Sequence, residues 1–308
     1  MAAPKVALVT GGAGFIGSHV VDRLIAKGYQ VAAVDSLVIG RKENLHPKAT
    51  LYQADIRSPD LREIFAKVKP SYVFHLAAQA SVIRSVKEPG MDTDVNVLGT
   101  INLLEQCRAF AIERFIYSST GGALYGEPER LPCGESHPIR PLSPYGASKY
   151  AAEVFVRLYG DLHGLKHTIL RYSNVYGPRQ DPEGEAGVVA IFTRRLLARE
   201  DALIFGDGTQ QRDFVYVADV AEANMKALAQ KKNDSFNIGT GKGASVNQVA
   251  KELVRLTGTK NPPKHAPARK GEVYKIWLDA RKAKRGLGWS AKVGLSEGLK
   301  RTVDYFRA

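Results

Sequence analysis

Apolar and polar positions alternate at two periods along the first half of the chain. The run KVALVT over 5–10 is short, apolar and β-branched and stops at a cluster of glycines, which predicts a strand and a tight turn. Ile16, Val20, Leu24 and Ile25 then recur at helical spacing until Gly28, which predicts a helix closed by a glycine. Residues 30–34 read as a second strand ending at Asp35, which completes one β-α-β unit.

The alternation continues, with strands predicted at 51–54, 72–76, 114–118 and 167–171 and helices at 59–67, 94–110 and 145–163. Strands that alternate with helices form a parallel sheet covered on both faces. Beyond Asn174 the pattern loosens. It predicts a helix at 187–199, short strands near 202–205 and 213–216, and helices near 218–230, 246–257, 279–286 and 295–306, with Pro262, Pro263 and Pro267 marking an irregular stretch. The expected architecture is α/β: a Rossmann-type doubly wound parallel sheet in residues 1–173, to which later segments are free to return, and a smaller C-terminal α/β substrate lobe mainly in 174–308. A cleft is expected between them.

Composition narrows the function classes. The 308 residues are 44% hydrophobic and 24% charged, as in an ordinary soluble globular protein. No apolar run is long enough to cross a bilayer, and the start runs straight into a strand pattern without a cleavage-type segment, so a cytoplasmic protein with no membrane partner is expected. The net charge is +13, and the last fifty residues hold 13 Lys/Arg against 4 Asp/Glu. Those cations are scattered among apolar positions of periodic helices, which favours a solvated face over a diphosphate-binding pocket, and either over nucleic acid. Cys107 falls in a helical pattern and Cys133 in a loop, so we expect one core thiol, one loop thiol, no disulfide and no metal site.

The chemistry-bearing residues follow this frame. Gly11, Gly14 and Gly17 stand between a strand and a helix, where glycine permits close approach of backbone to phosphate. The helix N-terminus, with Phe15 and Ile16, favours an anion. Asp35 follows Gly17 by eighteen residues, with Ser36 beside it. A carboxylate there accepts from ribose hydroxyls and repels a 2′-phosphate, which favours NAD over NADP although Arg41 lies near. Asp55-Ile56 follows a strand and is a candidate border of the adenine. Leu76, Ala77, Ala78 and Gln79 end the next strand with small residues that admit a ligand, whereas His75 reads better as a core histidine than as a base. Asn96 either caps a helix or holds a neighbouring loop against the cofactor.

Tyr145 and Lys149 are four apart on one helix face. A tyrosine of pKa ~10 is a poor base at neutral pH, and a nearby ammonium lowers that value. Ser118, Ser119 and Thr120 end the preceding strand, where Ser119 or Thr120 completes a proton path. Y-x-x-x-K alone occurs by chance on exposed helices. Downstream of the glycine loop and this Ser-Ser-Thr, it reads as a redox site.

These residues sit in longer motifs: HLAAQ at 75–79, YSSTGGALYG at 117–126, SPYGASK at 143–149, RYSNVYGPRQ at 171–180, RDFVYVADV at 212–220 and NIGTG at 237–241. Together they cover nearly the whole chain. The chain resembles the extended short-chain dehydrogenases/reductases of the NAD-dependent epimerase/dehydratase family, and within it the UDP-glucose 4-epimerase branch. The resemblance implies that Tyr145 is the acid/base, Lys149 its modulator, and Thr120 or Ser119 the hydroxyl partner. It places Tyr172 and Ser173 near the nicotinamide and Asn174 on the substrate diphosphate. Gly187, Val188 and Val189 would contact the nucleotide, Leu203 and Phe205 the uracil. Arg212 and Arg269 would clamp the pyrophosphate, and Glu272 would take the substrate ribose.

Two features depart from the family pattern. Thr120-Gly121-Gly122-Ala123 fills a gap one residue longer than many epimerases have, and Thr120 is the favoured hydroxyl. Ile276 falls where strict glucose/galactose epimerases carry a bulky tyrosine, which would leave space for an N-acetyl group. Family 4,6-dehydratases carry an Asp-Glu pair after the active threonine, and the related decarboxylases an acid near this point. Gly121 and Gly122 stand here, and their lack of a proton to exchange disfavours both reactions. The expected activity is NAD-dependent 4-epimerisation of a UDP-hexose through a transient 4-keto sugar, by a homodimer paired through helices 94–110 and 145–163. The competing readings are a UDP-N-acetylhexosamine 4-epimerase, then a dehydratase or decarboxylase, and last a non-enzymatic NAD-sensing or RNA-associated scaffold.

Overall fold

A computed structural model describes residues 5–183, 187–268 and 273–308. The predicted strands assemble as β1 (Val6–Thr10), β2 (Gln30–Asp35), β3 (Thr50–Gln53), β4 (Tyr72–His75), β5 (Arg114–Thr120) and β6 (His167–Tyr172), joined by β7 (Asp234–Ile238). They lie in the order β7-β6-β5-β4-β1-β2-β3, and every pairing is parallel. The chain winds outward from β1 to β3, then crosses back to β4 and winds the other way. Ligands of such sheets bind beyond the carboxyl ends of the strands at this switch. Thr10, Asp35, His75, Thr120 and Tyr172 end their strands on that edge.

Both faces of the sheet are covered, which explains why the strands read as nearly continuous apolar runs. Successive residues of β1 point to opposite sides. Ala7 and Val9 join Phe74, Ile116, Leu170 and Phe236 on one face. Leu8 joins Val34, Val73, Phe115, Tyr117 and Ile169 on the other. The first face packs on α1 (Phe15–Ala26) through Val20, Val21 and Leu24. The second packs on α2 (Gly99–Ala109) through Leu103, Leu104 and Cys107, and on α3 (Pro144–His163) through Ala152 and Val156. A smaller core forms between α4 (Val188–Leu197), α6 (Val246–Thr257) and α7 (Leu295–Arg307), with α5 (Val217–Ala227) beside it packed on α1. Val189, Phe192, Leu196, Val249, Leu253, Leu299 and Val303 fill it, while α5 itself turns Val220, Ala221 and Ala223 to the main sheet.

α3 is well marked at both ends. The Ser143 hydroxyl accepts from Gly146 N–H at 3.2 Å, Pro144 takes the first turn, and Gly164 closes the helix in the left-handed region at φ 69°. The helix predicted at 94–110 instead opens with a π-helical turn, Asp94–Leu98, before α2. β7 was not expected as a strand. Asp234, Ser235 and Asn237 have low strand propensity, and the strand pairs on one edge only. Asn237 belongs there because its amide spans the Tyr125 hydroxyl at 2.8 Å and the Cys133 carbonyl at 2.9 Å. Cys133 lies in a loop as expected and is fully buried there, and both cysteines are free.

α3 is fixed to β6 by a buried ion pair. Glu153 accepts from Arg171 Nε at 2.9 Å and Nη2 at 2.7 Å, and from Arg157 Nη2 at 2.6 Å. No described helix is long and apolar enough to cross a membrane.

Candidate active site

The glycine loop closes against the strand ends. Gly11 has φ +67°, and its N–H donates to the Val34 carbonyl at 2.8 Å. A Cβ on Gly11 would lie 2.7 Å from Ala77 N, and one on Gly17 only 2.0 Å from the Gly11 carbonyl oxygen. The loop therefore packs on itself and on the segment after β4 with no room for side chains. Gly14 caps α1 without a side chain, and the first turn carries no acid, so the N–H groups of Phe15, Ile16 and Gly17 face outward as anion donors. Asp35 is 7% exposed; its Oδ2 accepts from Ala13 N–H and its Oδ1 from Leu37 N–H, both at 2.9 Å. Ser36 follows it, half-buried. Arg41 is paired with Asp181 at 3.5 Å. Asp55 is held by Arg57 (Nη2 to Oδ2, 2.7 Å), which keeps its carboxyl below the usual range. Ile56 is buried under Gly99. This donor set fits a dinucleotide: a glycine cradle, outward helix N–H groups and an oriented carboxylate.

Asn96 takes the second of its two expected roles. Its Oδ1 accepts from Gln79 N–H at 2.9 Å, and its Nδ2 donates to the Gln79 carbonyl at 3.0 Å and to Ser148 Oγ at 3.1 Å. Asp92, fully buried, binds Gln79 Nε2 at 2.7 Å and Ser148 Oγ at 2.5 Å. The loop Leu76-Ala77-Ala78-Gln79 is thereby fastened to the helix that carries Tyr145. His75 is a core residue as expected. Its ring nitrogens meet Thr10 Oγ1 at 2.7 Å and Thr100 Oγ1 at 2.9 Å, and burial pushes its pKa well down.

Tyr145 opens α3, and Lys149 follows one turn later, 4% exposed. Burial pushes the Tyr145 phenol up to about 12; the adjacent Thr120 hydroxyl works against that rise, and the Asp92 charge adds to it. Burial pulls the Lys149 ammonium down to about 7, with Glu153 and Asp92 opposing. The expected depression of the phenol by Lys149 is therefore not a property of the protein alone. Desolvation dominates both groups, and the Lys149 Nζ stands over the Tyr117 ring, 4.4 Å from its centroid. Of the two candidate hydroxyls, Thr120 lies against the phenol, whereas the buried Ser119 hydroxyl turns to the Glu153 carboxylate and helps to hold its pKa down. Ser118 bonds the Tyr172 hydroxyl at 2.9 Å, which also takes Asn224 Nδ2 at 2.8 Å, so both groups are held in the core.

A cleft of about 930 Å³ opens beside these groups. Phe15, Ile16, Ser119, Thr120, Tyr145, Tyr172 and Ser173 line one side; Asn174, Gly187, Val188, Val189, Leu203, Phe205 and Arg212 line the other. Ser173 Oγ is a buried hydroxyl without a partner in the protein. The Arg212 Nη1 donates to the carbonyls of Gln211 at 3.0 Å and Tyr274 at 3.2 Å. Arg269 and Glu272 lie outside the described residues. Ile276 is not on the cleft wall; it is 1% exposed in an apolar cluster with Tyr125, Cys133 and Leu278, so its size says nothing about an N-acetyl group.

Residues 8–302 match the family model described as GDP-mannose 4,6 dehydratase. The chain belongs to the NAD-dependent epimerase/dehydratase family. It is 44% identical over 306 residues to a UDP-glucose 4-epimerase of Mycolicibacterium smegmatis, covering 97% of this chain and 98% of the relative. The crystal structure of a Thermotoga maritima UDP-glucose 4-epimerase with UDP-glucose is 53% identical, superposes with a TM-score of 0.96 and covers 98% of each chain. A Thermus thermophilus UDP-glucose 4-epimerase in complex with NAD is 45% identical, with a TM-score of 0.94 and coverage of 98% of this chain and 99% of that one.

Several residues of this family member escaped the sequence reading. Asp92, Glu153 and Asp213 are acids whose burial no local pattern announces. Asp213, 1% exposed, accepts from Thr240 Oγ1 at 2.5 Å and from Leu278 N–H at 3.1 Å. The two glycines after Thr120 differ from each other in their surroundings. A Cβ on Gly121 would come within 2.5 Å of Leu278 Cδ1, so this glycine serves packing. A Cβ on Gly122 would meet nothing nearer than Asn174 Oδ1 at 3.5 Å. Gly121→Ala is therefore expected to lose ~1–3 kcal/mol of stability in urea unfolding. Gly122→Ala should leave the midpoint unchanged, and equal effects would contradict this placement.

Proposed function

We propose that the protein is an isomerase that interconverts UDP-glucose and UDP-galactose by NAD-dependent 4-epimerisation, through a transient 4-keto sugar. The reading is carried by Tyr145: a desolvated phenol on the wall of the cleft, beside Thr120 and one turn from a buried lysine. The relatives named above support the substrate class, and the glycines after Thr120 supply no acid for dehydration.

NAD, when bound, supplies the acceptor and later donor of the C4 hydride and a positive charge at the reacting centre. The glycine loop and the N-terminus of α1 would hold its diphosphate and Asp35 its adenosine ribose, with Asp55 and Ile56 toward the adenine. Tyr145, as phenolate, takes the proton of the C4 hydroxyl, with the adjacent Thr120 hydroxyl completing the path, and keeps it until the hydride returns. Burial raises the phenol, which does not ionise unaided at neutral pH, so the reaction needs cationic neighbours; Lys149, one turn away, is one of them. Asn174, Arg212 and Arg269 grip the substrate diphosphate, with Glu272 on its ribose. Gly187, Val188 and Val189 with Leu203 and Phe205 hold the nucleoside. The hexose itself is held loosely enough for the keto sugar to turn its other face before Tyr145 returns the proton.

A homodimer in the cytoplasm completes the proposal. Val154, Leu158 and Leu162 form an exposed apolar stripe along α3, and Leu98 is exposed at the start of α2. Neighbouring helices with such faces pair across a two-fold axis. Light scattering should give twice the 33.6 kDa chain mass, and a monomer at micromolar concentration would refute the pairing.

Tyr145→Phe removes one oxygen and is expected to lower the turnover of UDP-glucose to UDP-galactose by ~10²–10⁴-fold while NAD still binds. Product formation followed by NMR decides it, and near-normal turnover by the variant would sink the assignment.

A further inference from the structure

Tyr117 is fully buried on β5, three residues before Thr120, and nothing in the proposed reaction uses it. It holds Lys149 at both ends. Its hydroxyl donates to the Lys149 carbonyl at 3.4 Å, and its ring face lies 4.4 Å from Lys149 Nζ. The ring is itself fixed, with the His75 ring 5.6 Å away on β4 and the Phe115 ring stacked at 6.5 Å.

We propose that Tyr117 is a positioning residue for the 4-epimerisation argued above: its ring is the seat that keeps the Lys149 ammonium charged and aligned on the face it shares with Tyr145. The inference rests on that functional reading only for its consequence in catalysis, since the seat is a property of the folded chain.

The two carboxylates near Lys149 favour its charge, but both are engaged by other groups, and the ring shares this work. On its own helix Tyr145 is a neutral phenol. Glu153, one turn further on, is bound by two guanidinium groups, Arg157 from α3 and Arg171 from β6. From the short helix Pro89–Thr93, Asp92 contributes a charge whose oxygens are taken by Gln79, Asn96 and Ser148. From β4, His75 is held neutral by burial and adds no competing cation. From β5 comes the face of Tyr117, negative by its quadrupole and shielded from water, where such contacts are strongest. Burial is the largest influence on Lys149 and pulls its ammonium down even against the two carboxylates, so loss of a favourable contact lowers it further.

The test reads Lys149 directly. Lysine labelled with ¹³C at Cε is titrated by NMR in the full chain, with Lys149→Met assigning the resonance. Tyr117→Phe keeps the ring and should leave the titration in place. Tyr117→Leu removes the ring and should shift it down by about one to one and a half pH units. Phenylalanines of increasing fluorination at position 117 keep the shape while weakening the quadrupole, and should lower it stepwise. That series answers the question even if the Leu variant fails to fold.

An unmoved titration across the fluorinated series overturns the proposal. So does a Tyr117→Phe shift as large as that of Leu, which would assign the effect to the hydroxyl. In NAD-loaded enzyme the alkaline limb of the kcat profile should move with the lysine. If the titration moves and the limb does not, the seat stands and the catalytic role of Lys149 falls.

Discussion

An ammonium and a phenol taken out of water on one helix face are the constraint around which the rest of the structure is arranged. A charged lysine in a dry site is costly unless its surroundings favour it. Lys149 is 4% exposed, and its surroundings are an aromatic face, two carboxylates and a sheet edge. The same dryness raises the Tyr145 phenol. Both groups are thus moved away from their ordinary behaviour in opposite directions, so neither is set for proton transfer by the protein alone. The phenol becomes a usable base only once a further positive charge arrives beside it.

Such a site demands rigid supports, and each comes from a different element. The buried Glu153–Arg171 pair ties α3 to β6, and Ser148 ties it to Asp92 and Asn96, which in turn hold the loop after β4. The glycine loop packs against that loop through the close approach of Gly11 and Ala77. One connected set of contacts therefore links the place where a dinucleotide diphosphate would sit to the helix that carries Tyr145 and Lys149. The second half of the chain closes the cleft from the other side, with Asp213 gathering the Thr240 and Leu278 segments beneath it.

Much of this was legible in the chain because local patterns and global fold agree. The period-two and helical stretches located six strands of the sheet, and Ser143, Pro144 and Gly164 bracket α3 in the sequence itself. The glycine spacing, Asp35 and the Tyr145/Lys149 pair stand where the motifs put them. What was illegible depends on tertiary burial. β7 carries Asp234, Ser235 and Asn237 because their side chains are needed by neighbours distant in sequence. Asp92 and Glu153 look like surface acids until the partners that bury them are known. Ile276 aligns with a sugar-side position yet turns into the Tyr125 cluster. The dryness around Tyr145 and Lys149 was equally illegible: the i, i+4 spacing puts them on one face, and only the fold shows that this face is buried.

The central claim is that C4 of the sugar is oxidised and restored within one active site while Tyr145 handles only the hydroxyl proton. The most direct measurement supplies UDP-glucose deuterated at C4 to the NAD-loaded enzyme in ordinary water and follows the galactose product by NMR. The account predicts that the deuterium remains at C4 of UDP-galactose. Its replacement by solvent hydrogen would mean that C4 is deprotonated, not oxidised, and would contradict the mechanism.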